Sequence, residues 1–126
     1  MKSEIAKVTV ASLRDLITRT GFGATVVEEK VLIVQHTKCR YSVSCRIGAD
    51  GQSVENIQFR AAWATSGVNF HFVNEWNYRN RFTKLYLDDR SDPIIEFDVV
   101  TVAIAEAHLE ECLGLWHTSL DNFLPK

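Results

Sequence analysis

Apolar residues along the chain keep two different rhythms, and the changes between them mark the elements. Across "VTVASLRDLITRTGFG", Val10, Leu13, Leu16 and Ile17 recur at steps of three and four, while Arg14, Asp15 and Arg19 point away. That spacing predicts an amphipathic helix. Thr9 can cap its start, and Gly21 and Gly23 offer the positive φ that ends it. From Ala24 the step drops to two. "ATVVE" and "VLIVQHT" are β-branched runs parted by Glu29-Lys30, which reads as a tight reversal. "YSVSCRIG" puts Tyr41, Val43, Cys45 and Ile47 on one face and Ser42, Ser44 and Arg46 on the other. After the Asp-Gly turn of "ADGQ", "VENIQFRAAW" answers with Ile57, Phe59, Ala61 and Trp63 on one face. These are antiparallel neighbours, buried on one side and wet on the other.

Helical spacing returns at "SGVNFHFVNEWNYRN". Ser66 can cap it, Val68, Phe72, Val73 and Trp76 form its buried stripe, and Asn80 ends it in a left-handed C-cap. "RFTKLYLDD" and "PIIEFDVV" form a hairpin around "DRSD", with Pro93 at a strand start where no ladder donor is needed. The closing segment "VAIAEAHLEECLGLWHTSLDNFL" gathers Leu109, Cys112, Leu113, Trp116, Leu120 and Phe123 on one helical face. Glu106, Glu110, His117 and Asp121 decorate the other, and Gly114 is the weak point. The order is helix, several strands, helix, two strands, helix. It predicts an α+β fold, an antiparallel sheet packed against helices, in one domain over residues 1–126.

Charge and cysteine usage narrow the setting. A net charge of -2 gives no global attraction to nucleic acid or anionic lipid, and no apolar run approaches the ~20 residues of a membrane span. The opening residues lack a long apolar core and a small-residue cleavage site, so a cytoplasmic protein is expected, with neither nucleic acid nor membrane as partner. Cys39, Cys45 and Cys112 form no CxxC pair and read as free thiols. A zinc reading would recruit His36, Cys39 and Cys45 with His108 or Cys112, but that spacing matches none of the compact ligand pairs zinc uses.

Motifs for chemistry are missing. There is no GxGxxG, Walker loop, HExxH or GxSxG, and the four histidines are scattered. Asp88, Asp89, Asp92, Glu96 and Asp98 lack the ligand pattern of a calcium loop. Because Glu96 and Asp98 alternate with Ile95, Phe97 and Val99, they read as the wet face of a strand. Arg79, Arg81, Lys84 and Arg90 are interleaved with acids and make no nucleic-acid groove. No catalytic residue, metal or cofactor is expected.

The least ordinary stretch is "FVNEWNYRNRFTKLYLDD". Its Asn74, Trp76 and Asn77 end a helix, and Phe82, Tyr86, Leu87 and Asp88 follow, with "PIIEFDV" beyond. This resembles the YbjN family of bacterial proteins, whose members carry an Asn-x-Trp-Asn run, a Phe-x-Lys-x-Tyr-Leu-Asp strand and an acidic hairpin. "NIQFRAAW" and the last helix agree in position, so the likeness covers residues 9 to 124. The hairpin "DDRSDP" lacks the glycine expected there, and "VVTVAIAE" lacks the one that usually precedes the final helix. The resemblance implies a fold similar to type III secretion chaperones, often homodimeric. It also implies a sensory-transduction regulator, a label that carries no known reaction. For Trp76 and the asparagines two roles stand open: anchoring a helix that must hand over to a strand within about two residues, or touching a partner. The architectural role has the stronger physical reason.

The function expected is that of a non-catalytic protein-binding module, a chaperone-like adaptor or regulator acting as a homodimer on an unknown protein client. Trp63, Phe70 and Tyr78 are the partner-binding candidates, because the aromatics of the second helix do not all fit one stripe. The rival is a small-molecule-binding protein or small enzyme with a cavity between sheet and helices.

Overall fold

A computed structural model describes residues 7–37, 39–64 and 68–123. Helix α1 (Val10–Arg19) opens the chain, and Thr9 and Ser12 cap it reciprocally: the Thr9 hydroxyl accepts from the Ser12 N–H and the Ser12 hydroxyl from the Thr9 N–H. Gly21 takes φ 99° after it, whereas Gly23 is extended and already begins the sheet. Strands β1 (Gly23–Glu28), β2 (Val31–Gln35), β3 (Arg40–Ile47) and β4 (Val54–Ala62) then form an antiparallel meander. Helix α2 (Phe70–Arg79) interrupts it, and β5 (Lys84–Leu87), β6 (Pro93–Val100) and α3 (Glu106–Phe123) complete the fold.

The sheet has six strands in the order β1-β2-β3-β4-β6-β5, all antiparallel. Its inner face is apolar. Leu32, Val34, Tyr41, Val43, Ile57, Phe59, Leu85 and Ile95 pack into one core with Leu13, Leu16 and Ile17 of α1 and Leu109, Leu113, Trp116 and Leu120 of α3. Trp116 lies at the centre, stacked on Phe59 at 5.5 Å and edge-on to Tyr41. An Arg19–Glu106 ion pair of 3.3 Å joins the end of α1 to the start of α3. The outer face is polar, and the architecture is α+β, as the change of rhythm implies.

Three details depart from the sequence reading. The last helix starts at Glu106, four residues after Val102, because Thr101 first ties β6 to β4: its N–H donates to the Glu55 carbonyl and its hydroxyl to that of Val54. Asn69, rather than Ser66, caps α2 by accepting from the Phe72 N–H at 2.9 Å, and Ser66 lies outside the described residues. Glu96 is buried, not on a wetted strand face.

The two missing glycines are replaced by strained residues. Ser91 (φ 62°) turns the β5–β6 hairpin and Ala103 (φ 57°) turns into α3, both in the left-handed region. Around Ser91, the Asp88 carboxylate accepts from the N–H groups of Arg90 and Asp92 at 2.8 and 3.0 Å. Those bonds fix a turn that glycine would otherwise make by its own freedom, and they hold the Asp88 carboxyl below the usual range. The turn at Ala103 is closed by the longer bond from the Ile104 N–H to the Thr101 carbonyl, at 3.4 Å. Ala103→Gly should raise stability by about 0.5 kcal/mol, since relief of left-handed strain outweighs the added entropy of the unfolded chain, and Ala103→Val should lower it by at least about 1 kcal/mol. Urea midpoints in which both variants lose stability equally would refute this.

Candidate functional site

Helix α2 is where the sequence motif and the exposed aromatic surface meet. Only Trp76 of the helix is buried; Val73 is half-buried, and Phe72, placed in the buried stripe by spacing, is exposed. The reason is position. The helix sits at the β5 edge of the sheet, not over its face, so a narrow strip suffices to seat it.

That strip is built from side-chain hydrogen bonds. The Trp76 indole N–H donates to the Thr83 hydroxyl at 3.1 Å. Asn77 donates from Nδ2 to the Leu85 carbonyl at 2.9 Å, and its Oδ1 accepts from the Leu85 N–H at 3.0 Å. Asn80 ends the helix with its backbone extended (φ -114°), not left-handed as its type suggested. Its side-chain Nδ2 and its own N–H both donate to the Trp76 carbonyl, which satisfies one orphan of the last turn. The left-handed step falls instead at Phe82, φ 76°, whose ring is 62% exposed and lies 6.1 Å from that of Phe97.

Behind the strip stands Phe123, at the end of α3. Its ring lies 5.0 Å from Trp63, 5.2 Å from Trp76 and 6.0 Å from Phe72. Trp63 is therefore half-buried just past the end of β4, against Phe123 of α3. The two other partner-binding candidates differ from it: Phe70 is 77% and Tyr78 86% exposed. With Asn74 between them they recur every four residues, one stripe facing solvent. Of the signature residues, Trp76 and Asn77 seat the helix and Asp88 shapes the hairpin. Tyr86 belongs to a polar cluster on the outer sheet face.

That cluster centres on Glu96, 5% exposed. In register across three strands stand Arg60, Glu96 and Lys84. Glu96 accepts from Tyr86 Oη at 2.9 Å and lies 3.1 Å from Lys84 Nζ and 3.5 Å from Arg60 Nε. The bond to Glu96 raises the Lys84 ammonium, and desolvation together with Glu96 raises the Tyr86 phenol. Both cations and the phenol converge on one carboxylate, so the row is a cross-strand tie that keeps one net positive charge. Its signal was in the sequence: a hairpin centred on Arg90 places Lys84 opposite Glu96.

A second cluster escaped the sequence reading. His117, assigned to the exposed face of the last helix, is half-buried, with Nε2 2.7 Å from Tyr41 Oη. His36 is buried, 3.4 Å from Asp121 Oδ1, and its ring lies 5.3 Å from that of His117, with Phe22 against both. Spacing could have shown this, because residue 117 falls between Leu113 and Leu120 on the apolar stripe. Of the residues a zinc reading would recruit, Cys45 and Cys112 are buried in the core. Among the described residues no three His, Cys, Asp or Glu side chains are placed to hold a metal ion. Burial pushes the Cys45 thiol up to about 11, away from nucleophile or ligand chemistry. The surface grooves seen lie elsewhere, one of about 550 Å³ beside Thr9, Lys30 and Gly48 and another of about 840 Å³ beside Arg46, Asn56 and Asp98. Neither is lined by His36, His117 or Trp116.

The model of the YbjN family, described as "Putative bacterial sensory transduction regulator", matches residues 9–126. No curated protein and no solved structure matches the chain, so the likeness to secretion chaperones rests on the resemblance alone.

Burial lowers the His117 imidazole to about 4; the adjacent His36 adds to this and Asp121 opposes it. The folded protein then refuses a proton that the unfolded chain accepts, so the contribution is complete above about pH 6.5 and is lost as pH falls toward 4. At about 1.4 kcal/mol per pH unit, and discounted for half-burial, roughly 2 kcal/mol should disappear. Urea unfolding at pH 7.5 and 4.5 checks it: His117→Gln, which can still bond Tyr41, should lose markedly less stability over that interval. Equal losses in both proteins would contradict the assignment.

Proposed function

Since the chain belongs to the YbjN family, we propose that it is a non-catalytic protein-binding regulator that works as a homodimer, with the Phe70–Asn74–Tyr78 stripe of α2 as its self-association surface. One observation carries this reading. Two large aromatic side chains, 77% and 86% exposed, stand one above the other on a helix whose anchoring is supplied by other residues. They contribute nothing to the fold that polar residues could not, and exposed aromatic surface of this kind marks interfaces.

A second copy fits the stripe. Antiparallel pairing about a two-fold axis through Asn74 sets Phe70 of each protomer against Tyr78 of the other. Glu75 and Arg79, paired with each other at 3.0 Å, neutralise one another on the same helix. A ten-residue helix is about 15 Å long, which puts the contact at the small end of stable interfaces. The dimer is therefore concentration-dependent, a useful property in a regulator that must exchange partners. Among the described residues, the ionisable clusters at Glu96 and His117 are ion-paired or packed against aromatic rings, which suits a structural role for both.

Sedimentation equilibrium over a wide concentration range tests the proposal. The native chain should show a reversible monomer–dimer equilibrium. Phe70→Glu with Tyr78→Glu should shift it at least tenfold toward monomer, while surface position keeps the unfolding free energy of the monomer within about 0.5 kcal/mol of native. A native chain that stays monomeric throughout, or a double variant that dimerises unchanged, would overturn it.

A further inference from the structure

The bond pair between Asn77 and Leu85 has the form of a strand pairing. One carboxamide donates to the Leu85 carbonyl at 2.9 Å and accepts from the Leu85 N–H at 3.0 Å. A residue of a neighbouring antiparallel strand makes the same two bonds with its own N–H and C=O. Lys84 and Tyr86 flank Leu85 and pair inward with Glu96 and Ile94, so Leu85 turns its backbone outward. Asn77 thus occupies the first rung of a seventh strand.

We propose that the outer edge of β5 is a docking edge for an extended segment of a partner protein, and that α2 closes it in this state through Asn77. Three observations give the edge this character. The pairing of β5 with β6 is regular over all four residues, whereas the opposite edge strand β1 is bulged between Val26 and Glu28 and ends in Glu28-Glu29, features that deter pairing. The helix that covers β5 is lightly held, with Trp76 its sole buried residue. The site also specifies an occupant. In an added antiparallel strand, the residue opposite Leu85 faces the inner side, into the seat that Trp76 shares with Thr83 and Phe123. Its two neighbours face outward, one opposite Lys84 and one opposite Tyr86, over whose ring the Lys84 ammonium lies at 5.5 Å. The fitting segment is therefore an extended acidic–aromatic–acidic run, bound by main-chain hydrogen bonds with one aromatic anchor.

This goes beyond the dimer reading and does not rest on it. Asn77 lies beside the Phe70–Tyr78 stripe, and self-association and peptide binding are read by different measurements. A ten-residue peptide with Glu-Trp-Glu at its centre, flanked by β-branched residues, serves as probe, and the same peptide with alanine for tryptophan as control. Asn77→Ala removes the competing amide and should bind the probe at least tenfold more tightly than the native chain. The control peptide should bind at least tenfold more weakly. The NMR signal of the Leu85 amide should shift on saturation as its acceptor changes from side chain to peptide. Should Asn77→Ala not fold, Asn77→Asp keeps the acceptor, loses the donor and should give an intermediate gain. Equal affinity in native and variant chains, no binding to either, or binding that leaves the Leu85 amide signal in place would overturn the proposal.

Discussion

The structure hangs on the contact between α3 and the middle of the sheet. Trp116 is fully buried, stacked on Phe59 of β4 and edge-on to Tyr41 of β3, and Leu109, Leu113 and Leu120 extend the contact along the helix. Burying side chains of this size contributes about 1.5–3 kcal/mol each before entropy is counted, so this face is the main source of cohesion. Its geometry carries outward in both directions. One residue beyond Trp116, His117 meets Tyr41 and Phe22; two turns beyond, Phe123 forms the aromatic floor on which Trp63 and Trp76 rest. Disturbing α3 would disturb both.

A six-stranded sheet with helices on one face leaves two edges and one broad face to be protected from misplaced pairing. The outer face is closed by charge, with Arg60 and Lys84 on either side of Glu96 and Gln58 bonded to Asp98. The β1 edge is blunted by a bulge and two glutamates. The β5 edge is closed by a side chain from another element, Asn77 of α2. That difference gives α2 its double nature. It is part of the fold through Trp76, Asn77 and Asn80, and a platform through Phe70, Tyr78 and the Phe82 ring at its end. Weak anchoring at one edge lets such an element respond without unfolding the rest.

How much of this was legible in the sequence varies with how local the cause is. Tyr41, Val43 and Cys45 alternate cleanly with polar neighbours, because their strand is covered on one side only, and the face they share was readable. Leu13, Leu16 and Ile17 announced α1 for the same reason. Glu96 was not readable from its own strand. Its burial depends on Arg60 and Lys84, brought into register from two other strands, and on Tyr86 leaning across. His117 was misread as exposed because its residue type outweighed its spacing. The missing glycines marked the turns at Ser91 and Ala103 but not the left-handed residue in each, and Phe82 gave no signal at all; local bonds from the Asp88 carboxylate, not propensity, hold the Ser91 turn in place. The role of Trp76 and Asn77 as a seat was visible in kind, since a helix ending so close to a strand needs its backbone groups satisfied. That Asn77 would bond the strand itself required the fold.

The central claim is that α2 is a lightly held element on a firmly packed core. Native-state hydrogen exchange, followed residue by residue through low concentrations of denaturant, measures this directly. The account predicts that amides of Phe72 to Asn80, together with Leu85, exchange through a partial opening of low free energy, well before those of β3, β4 and α3, which should open only with the whole molecule. If α2 and Leu85 instead exchange only with global unfolding, at the same free energy as Trp116 and Phe59, the helix is an inseparable part of the core and the account is wrong.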